Sequence, residues 1–474
     1  MPTTATETIS QDTASGSGIT IRDPRTGDIL WTVPEAGPGA VDHAVEVARS
    51  ATAEWAATAP AGRGAALRSA ARALDAAAQE LAGLNASETG RPVEEALAGI
   101  AAGVSTLEQY AELGPVHRGH SLRGNRLASD YTVAEPRGVA VLLTPWNDPV
   151  AVACGLIGAA LVTGNTVIHK PSERCPRLGE ALGEVLAPAF PPGVFLTVNG
   201  GAEVGAQLSQ ADVDVLAHVG SSASGARIAR AGALTGAHVI RENGGNDPLL
   251  VDSDVDPAWA ARQAAIGAFS NSGQICTAVE RIYVHKAVAE EFCAALQAEA
   301  AQRNSNGSVA PLVDLRMRDE VHAQVAAALE QGARAAEGGT LPDGPGSFYP
   351  ATVLLDCTDG MQVMTEETFG PVAPVQVVDT FDDGLRLACS GRYGLAATVL
   401  SGNIAHIQQA VAALPVGTVK VNEVFGGAPG GAAQPRGDSG HGFGYGPELL
   451  DEFSQVKVVH IAAPPATTPR KDQP

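Results

Sequence analysis

The stretch NSGQIC, Asn271 to Cys276, places a thiol after a Gly and a Gln in a short polar break. The apolar run AAIGAF (264–269) precedes it, and RIYVH (281–285) downstream reads as a strand. A thiolate is a nucleophile, so a cysteine at such a break is either reactive or an inert spacer. Taken alone, the stretch favours the spacer, because most free cysteines are buried and behave as small apolar residues. The six cysteines, at 154, 175, 276, 293, 357 and 389, are scattered and include no CxxC pair. That argues against a disulfide framework or a zinc site and fits a reducing cytoplasm. The eleven histidines show no HxxxH or HExxH spacing, so no metal site is expected.

Whether Cys276 has partners depends on the elements around it. GVAVLLT (138–144), NTVIHK (165–170), GVFLTVNG (193–200), VDVLAHVG (213–220) and AHVIREN (237–243) read as strands. GLIGAALVTG, RLGEALGEVLAPA, AEVGAQLSQ and SGARIARAGA read as the helices between them. This alternation implies an α/β fold with a parallel, doubly wound sheet. Such sheets bind ligands at the carboxyl ends of their strands. The residues that follow the strands, TPWN, KPSE, NGG, GSS and ENGG, are therefore candidates. A second α/β unit runs over about 244–437 and includes AFSNSGQIC, RIYVH, PATVLLD, GPVAPVQVVD and GTVKVNE.

Ahead of these, residues 39–113 are Ala-rich with helical periodicity. AVDHAVEVARSATAEW and GAALRSAARALDAAAQELAGL each read as an amphipathic helix. LASDYTVA (127–134) alternates loosely as a lone strand. QVKVVHI (455–461) is a last strand, with either 127–134 or another subunit as its partner. The Thr/Ser/Ala-rich lead-in (1–17) lacks the apolar core of a secretory signal. It and the Pro/Thr tail (462–474) are expected to be disordered.

Composition narrows the function classes. With 474 residues and 45% apolar content, the chain can build two or three domains with sizeable cores. A net charge of −21 makes it a poor binder of nucleic acid or anionic membrane surfaces. The longest apolar stretch, Val150 to Val162, is shorter than the ~20 residues of a membrane span.

TPWNDP, HKPSE, GSSASG, RENGG, NSGQIC and EETFGP occur in the order and approximate spacing of the aldehyde dehydrogenase superfamily. The chain resembles that superfamily from about residue 20 to 461. The resemblance implies a Rossmann-type NAD-binding domain (18–117 and 137–243) and a catalytic domain (244–437). It also implies a small β oligomerisation element (118–136 and 438–461), building a homodimer or homotetramer. The implied activity is NAD-dependent, non-acylating oxidation of a small-molecule aldehyde, with NADP as the alternative cofactor. Cys276 resembles the nucleophile, which passes through a thiohemiacetal and a thioester. Asn147 resembles the oxyanion donor, together with the N–H of Cys276. Glu242 resembles the general base, and its presence favours hydrolysis over transfer to coenzyme A.

The implied cofactor residues are Thr144, Trp146, Lys170, Ser172, Glu173, Gly205, Gly220, Ser221, Gly225, Asn243, Glu367 and Phe369. Lys170 and Glu173 match the pair that holds the adenosine ribose, and a carboxylate there repels a 2′-phosphate, favouring NAD. GSSASG resembles the dinucleotide loop, with the pyrophosphate at a helix N-terminus.

The chain departs from the family around its implied substrate tunnel. Asp148 stands where an aromatic residue is common, and Val152, Gly155 and Leu156 where larger side chains are usual. This pattern implies a wider tunnel with a carboxylate near its inner end, suited to a bulky or neutral-to-cationic aldehyde. Asn243 replaces the usual Leu after the base, and Asn246 follows the glycine pair. The alternatives are an acylating dehydrogenase and a non-catalytic binding or structural relative. The joint presence of Cys276, Glu242 and Asn147 argues against the latter.

Overall fold

The computed structural model describes residues 18–426 and 431–464. The expected lead-in and all but the first three residues of the expected tail lie outside them. The chain begins as a hairpin of β1 (Gly18–Arg22) and β2 (Ile29–Pro34). Four helices follow: α1 (Ala40–Ala57), α2 (Pro60–Ala76), α3 (Ala78–Thr89) and α4 (Val93–Leu113). In α1 the buried residues Val41, Ala44, Ala48 and Trp55 recur at helical spacing along one stripe. The second expected helix is split at Ala77, where the backbone leaves the helical range. No Gly or Pro marks that point. Both α2 and α3 pack on α4 and on the helix that follows β6.

After β3 (Ser121–Leu122) and β4 (Ala128–Pro136), the chain enters a βα alternation. Its elements are β5 (Val139–Leu143), α5 (Pro149–Thr163), β6 (Thr166–Lys170), α6 (Pro176–Leu186), β7 (Phe195–Thr197), α7 (Ala202–Gln210), β8 (Val215–Gly220), α8 (Ser222–Thr235) and β9 (His238–Asn243). The five strands are parallel in the order β9-β8-β5-β6-β7. β5 and β6 are buried at every position, as strands covered on both faces must be. Ala140 and Leu142 point into a core shared with α2, α4, α5 and α6. Val139, Val141 and Leu143 point the other way, toward α1, α7 and α8. The doubly wound sheet expected from the sequence is present.

A second α/β layer follows. It contains β10 (Asp247–Val251), α9 (Pro257–Phe269), β11 (Val279–His285), α10 (Ala289–Asn306), α11 (Leu315–Glu330), β12 (Arg334–Glu337), β13 (Thr352–Leu355), α12 (Gln362–Thr365), β14 (Val372–Val378), α13 (Phe381–Ala388), β15 (Tyr393–Gly394), β16 (Ala396–Leu400), α14 (Ile404–Ala413) and β17 (Thr418–Val421). The sheet order is β12-β13-β14-β11-β10-β16-β17, with only the edge strand β12 antiparallel. Leu249, Val251, Ile282 and Val284 face α9 and α10, while Leu250 and Tyr283 face α13.

The last segment differs from expectation in part. β18 (Arg436–Gly437) pairs with β15, and β19 (Gly440–His441) pairs antiparallel with β9, opposite Arg241 and Glu242. Residues 440–441, expected within the small β element, thus pair with the edge of the first sheet. After α15 (Leu449–Glu452), β20 (Ser454–Ala462) pairs with β4 along nine residues, and β3 completes a three-stranded sheet. The partner of the last strand is thus residues 128–136 of the same chain.

One buried amide fastens this sheet to the first. Asn165 is fully buried; its Oδ1 accepts from the Gly138 N–H (2.8 Å), and its Nδ2 donates to the Phe453 carbonyl (3.0 Å) and to Thr163 Oγ1 (2.9 Å). Replacing Asn165 by Ala leaves the buried Gly138 N–H without a partner, while the Phe453 carbonyl keeps the Arg137 N–H at 3.4 Å. We expect a loss of about 1–3 kcal/mol, read as a fall in the calorimetric unfolding temperature.

Candidate active site

The turn between β5 and α5 carries Thr144, Trp146, Asn147 and Asp148. Thr144 Oγ1 lies 2.8 Å from His169 Nε2. The Trp146 ring meets Phe369 edge-on at 5.8 Å, and the Arg174 guanidinium lies over it at 5.3 Å. Asn147 Nδ2 donates to the Gln274 carbonyl at 3.1 Å. Its own carbonyl accepts from Arg91 at 3.1 Å, and the same Arg91 nitrogen donates to Asp148 Oδ1 at 2.8 Å.

The Cys276 loop follows α9. Asn271, Ser272 and Gly273 take φ of 46°, 54° and 75°, three successive left-handed residues. Two of them are not glycine, so the turn is held against local strain. The bonds that hold it are on hand. Asn271 Nδ2 donates to the Gln274 carbonyl (3.2 Å), and Gln274 Nε2 returns a bond to the Asn271 carbonyl (2.9 Å). Gln274 Oε1 accepts from the Val313 N–H at 2.9 Å. Gly273 is required twice over: a Cβ there would sit 2.0 Å from the Gly370 carbonyl oxygen.

Cys276 itself is half-buried. Burial pushes its thiol up to about 12, and Glu242, Asp247 and Glu367 push the same way, while Lys420 opposes them. Glu242 ends β9 half-buried, and burial raises it to about 7. Gly444 packs on it so closely that a Cβ would lie 2.1 Å from the Glu242 carboxyl carbon. Glu367 is raised to about 8, first by burial and then by Glu280; its Oε1 accepts from the Gly245 N–H at 3.2 Å. Phe369 has a φ of 52°, and Glu280 holds that turn by accepting from the Thr368 N–H (2.7 Å) and the Phe369 N–H (3.0 Å).

The expected cofactor residues form a second group at the ends of β6 and β8. Lys170 is buried; its ammonium donates to the Pro171 carbonyl at 3.0 Å and lies 4.0 Å from the Glu173 carboxylate. Gly205 lies beside the Lys170 stem, and Ser172 Oγ accepts from the Arg174 N–H at 3.3 Å. Ser221 caps α8 by accepting from the Ser224 N–H at 3.3 Å, and Gly220 sits in register with Asn243. Ser222 Oγ, in the first turn of α8, is buried without a partner among the described residues. Gly225 leaves room for the Asn243 side chain, which a Cβ would strike at 2.2 Å.

Three expectations change. Asn243 is buried and committed to the last segment, donating from Nδ2 to the Asp438 carbonyl and from its N–H to the Ser439 carbonyl, both at 2.9 Å. It therefore fastens β9 to that segment. Leu156 is 1% exposed within the first core, because it lies on the sheet side of α5. Asp148 is ion-paired, so its charge is already offset by Arg91. Val152 is half-buried, and Gly155 is buried with nothing within 4 Å of the position a Cβ would take. Among the described residues, no His/Cys/Asp/Glu grouping has the geometry for a metal ion, and no helix is long and apolar enough to cross a membrane.

Comparison with known proteins identifies the family and the fold. The model of the aldehyde dehydrogenase family matches residues 11–459. The chain belongs to the aldehyde dehydrogenase family. Its relatives include a betaine aldehyde dehydrogenase of Cereibacter sphaeroides, 34% identical over 475 residues and covering 96% of each chain. The NAD+ complex of an aldehyde dehydrogenase from Bacillus cereus superposes with a TM-score of 0.91 at 32% identity, over 94% of both chains. A 3,6-anhydro-L-galactose dehydrogenase in complex with NAP superposes equally well, at 30% identity over 95% of this chain and 97% of its own. Family membership makes the protein an aldehyde-oxidising enzyme using a nicotinamide dinucleotide.

Several residues of this dehydrogenase site were not among those expected: Arg91, Asp247, Glu280, Lys420 and Gly444. Two carry a readable signal. Lys420 is a lone charge inside the strand-like run GTVKVN, and Glu280 stands with Arg281 as a charged pair inside AVERIYVH. Gly444 carries none, since it lies in a Gly-rich stretch remote in sequence from Glu242. Substituting Gly444 by Ala forces the Glu242 carboxylate aside. Overpacking of this kind is worth about 1–3 kcal/mol, so we expect NADH production to fall roughly tenfold or more in a steady-state assay, with the chain still folded.

Proposed function

We propose that Cys276 attacks the aldehyde, that Asn147 and the Cys276 N–H hold the oxyanion, and that Glu242 is the base, giving the free acid. The observation that carries this reading is the convergence on one loop. Asn147 is bonded to the Gln274 carbonyl, two residues from Cys276, and Glu242 faces the same thiol. Attack by sulfur forms a C–S bond and leaves the carbonyl oxygen negative, where the Asn147 amide is available. Loss of hydride from the thiohemiacetal leaves a thioester on Cys276. Glu242 then removes a proton from water as it adds to that thioester, and the acid leaves with the thiol restored.

A bound nicotinamide dinucleotide supplies the hydride acceptor. The chain's own residues fit it. Glu173 presents a half-exposed carboxylate beside Lys170 for the adenosine ribose, which favours NAD over NADP. The N-terminus of α8, with Gly220, Ser221, Gly225 and the unpartnered Ser222 hydroxyl, suits the pyrophosphate. Thr144, Trp146, Glu367 and Phe369 border the nicotinamide side. These residues and β5–β9 form the cofactor-binding domain, and β10–β17 carry the nucleophile.

The substrate is a bulky aldehyde. Gly155 leaves open space on a buried helix, and Asp148 Oδ1 is held by Arg91 at the turn before it. β20 is an edge strand with Val456 (72%) and Val458 (66%) exposed, which supports assembly as a homodimer or homotetramer.

Two measurements test the reading. Cys276→Ala abolishes NADH production, and coenzyme A leaves the wild-type rate unchanged; an active Cys276→Ala variant defeats the assignment. Because Glu242 works only ionised and titrates at about 7, the turnover rate of the wild type rises as pH increases through that value. In Glu242→Gln this limb disappears with a loss of about 10²–10⁴-fold. For the substrate class, Gly155→Leu lowers kcat/KM for an aromatic aldehyde about tenfold or more while sparing propanal, because an overfilled pocket costs about 1–3 kcal/mol. An equal loss on both aldehydes sinks the tunnel argument.

A further inference from the structure

The charges around Cys276 are unbalanced. Glu242, Asp247 and Glu367 all oppose ionisation of the thiol, and Lys420 is the cation that favours it. Tyr445 also faces both Glu242 and Cys276. The two newcomers, Asp247 and Lys420, come from the sheet beneath the loop. Leu249, Thr398 and Lys420 are in parallel register across β10, β16 and β17. Leu249 packs in the core that faces α9, the helix whose end runs into the Cys276 loop. Lys420 lies on that same face, its ammonium 5.3 Å over the ring of Phe425, which packs against the same core. In that register Thr398, a small residue, is what stands between Lys420 and Leu249.

Asp247 opens β10 at the level of Cys276. A Cβ on Gly245 would touch both, at 2.6 Å from Asp247 Oδ1 and 3.0 Å from the Cys276 carbonyl oxygen. Asp247 is 5% exposed; Oδ1 accepts from the Ala396 N–H at 3.1 Å, and Oδ2 has no partner among the described residues. A buried carboxylate with a free oxygen needs a proton or a nearby cation. The charged groups that act on it are Lys420, Glu280 and Arg281, and Arg281 is already engaged with the Asn246, Leu387, Ala388 and Ser390 carbonyls. Lys420 is acted on by Asp247 and Cys276 alike. Its charge is shared between the two.

We propose that Lys420 is a positioning residue that sets the reactivity of Cys276, with Asp247 as the competing claimant on its charge. The inference rests on Cys276 being the nucleophile. It predicts opposite effects from removing the two charges, which a loss of structure does not produce. The test is alkylation of the full-length enzyme by iodoacetamide between pH 7 and 9, where the thiolate displaces iodide at a rate proportional to its fraction. The labelled Cys276 peptide is quantified by mass spectrometry. Lys420→Met slows labelling of Cys276 about tenfold, as a one-unit rise in thiol pKa requires. Lys420→Arg keeps the wild-type rate, and Asp247→Asn labels faster than wild type. Unchanged rates, or Lys420→Met and Asp247→Asn shifting the same way, overturn the proposal. A Cys276→Ala variant that still produces NADH defeats the nucleophile reading alone, because the labelling comparison does not use turnover.

Discussion

Two side-chain amides, of Asn147 and Asn271, converge on the carbonyl oxygen of Gln274. Much else at the site depends on that carbonyl. Asn147 comes from the turn after β5, in the first sheet, and Asn271 from the loop after α9, in the second. The shared acceptor therefore fixes the distance between an amide donor and a thiol that belong to different layers. A carbonyl has two lone pairs, so both donors are satisfied at once. Gln274 is in turn immobilised by its own amide, bonded to Asn271 on one side and Val313 on the other. The left-handed backbone at Asn271, Ser272 and Gly273 is the strain that this network holds. It is also why Gly273 cannot be exchanged: the loop is pressed against the Gly370 carbonyl.

Electrostatics oppose what geometry assembles. Glu242, Asp247, Glu280 and Glu367 are all raised, and burial is the first cause in each. A group of acids in a low-dielectric region resists ionisation, and a thiol among them resists it too. Burial and the neighbouring acids therefore both favour the protonated thiol of Cys276, and burial favours the protonated carboxyl of Glu242. Positive charge near the sulfur changes that balance. Glu280 shows a different use of a buried acid. Two backbone N–H bonds to it fix the turn of Thr368 and Phe369, and through Phe369 the face of Trp146.

Much of the fold was legible in the sequence because its signals are local. β5 to β9 are apolar runs closed by Gly, Pro or Asn, and the residues just after β5, β6 and β9 are the ones that line the site. Cys276, Asn147 and Glu242 were legible as motifs, and the structure brings their loops together. What was not legible depends on contacts distant in sequence. Arg91 reaches Asn147 across 56 residues, and Glu280 reaches Phe369 across 89. No periodicity encodes such pairs. The break at Ala77 lies in a run of alanines, equally good in either of two helices, so packing alone decides it. The pairing of residues 440–441 with β9 is a two-residue strand, too short for an alternating pattern to reveal.

The turn after β5 shows why a residue's type is a weaker guide than its partners. An acid at position 148 reads from sequence as a charge offered to a substrate. In place, it accepts from the same Arg91 nitrogen that grips the Asn147 carbonyl. The acid and the arginine act as a unit, and Gly99 on α4 leaves the space, since a Cβ there would lie 2.6 Å from Asp148 Oδ1. A side chain that leans toward α4 vacates the opposite side of the turn. Gly155, seven residues on and so on the same face of the helix, has nothing within 4 Å of the position a Cβ would take. Position 148 is thus read from its partners, Arg91 and the space left by Gly99, and not from its charge alone.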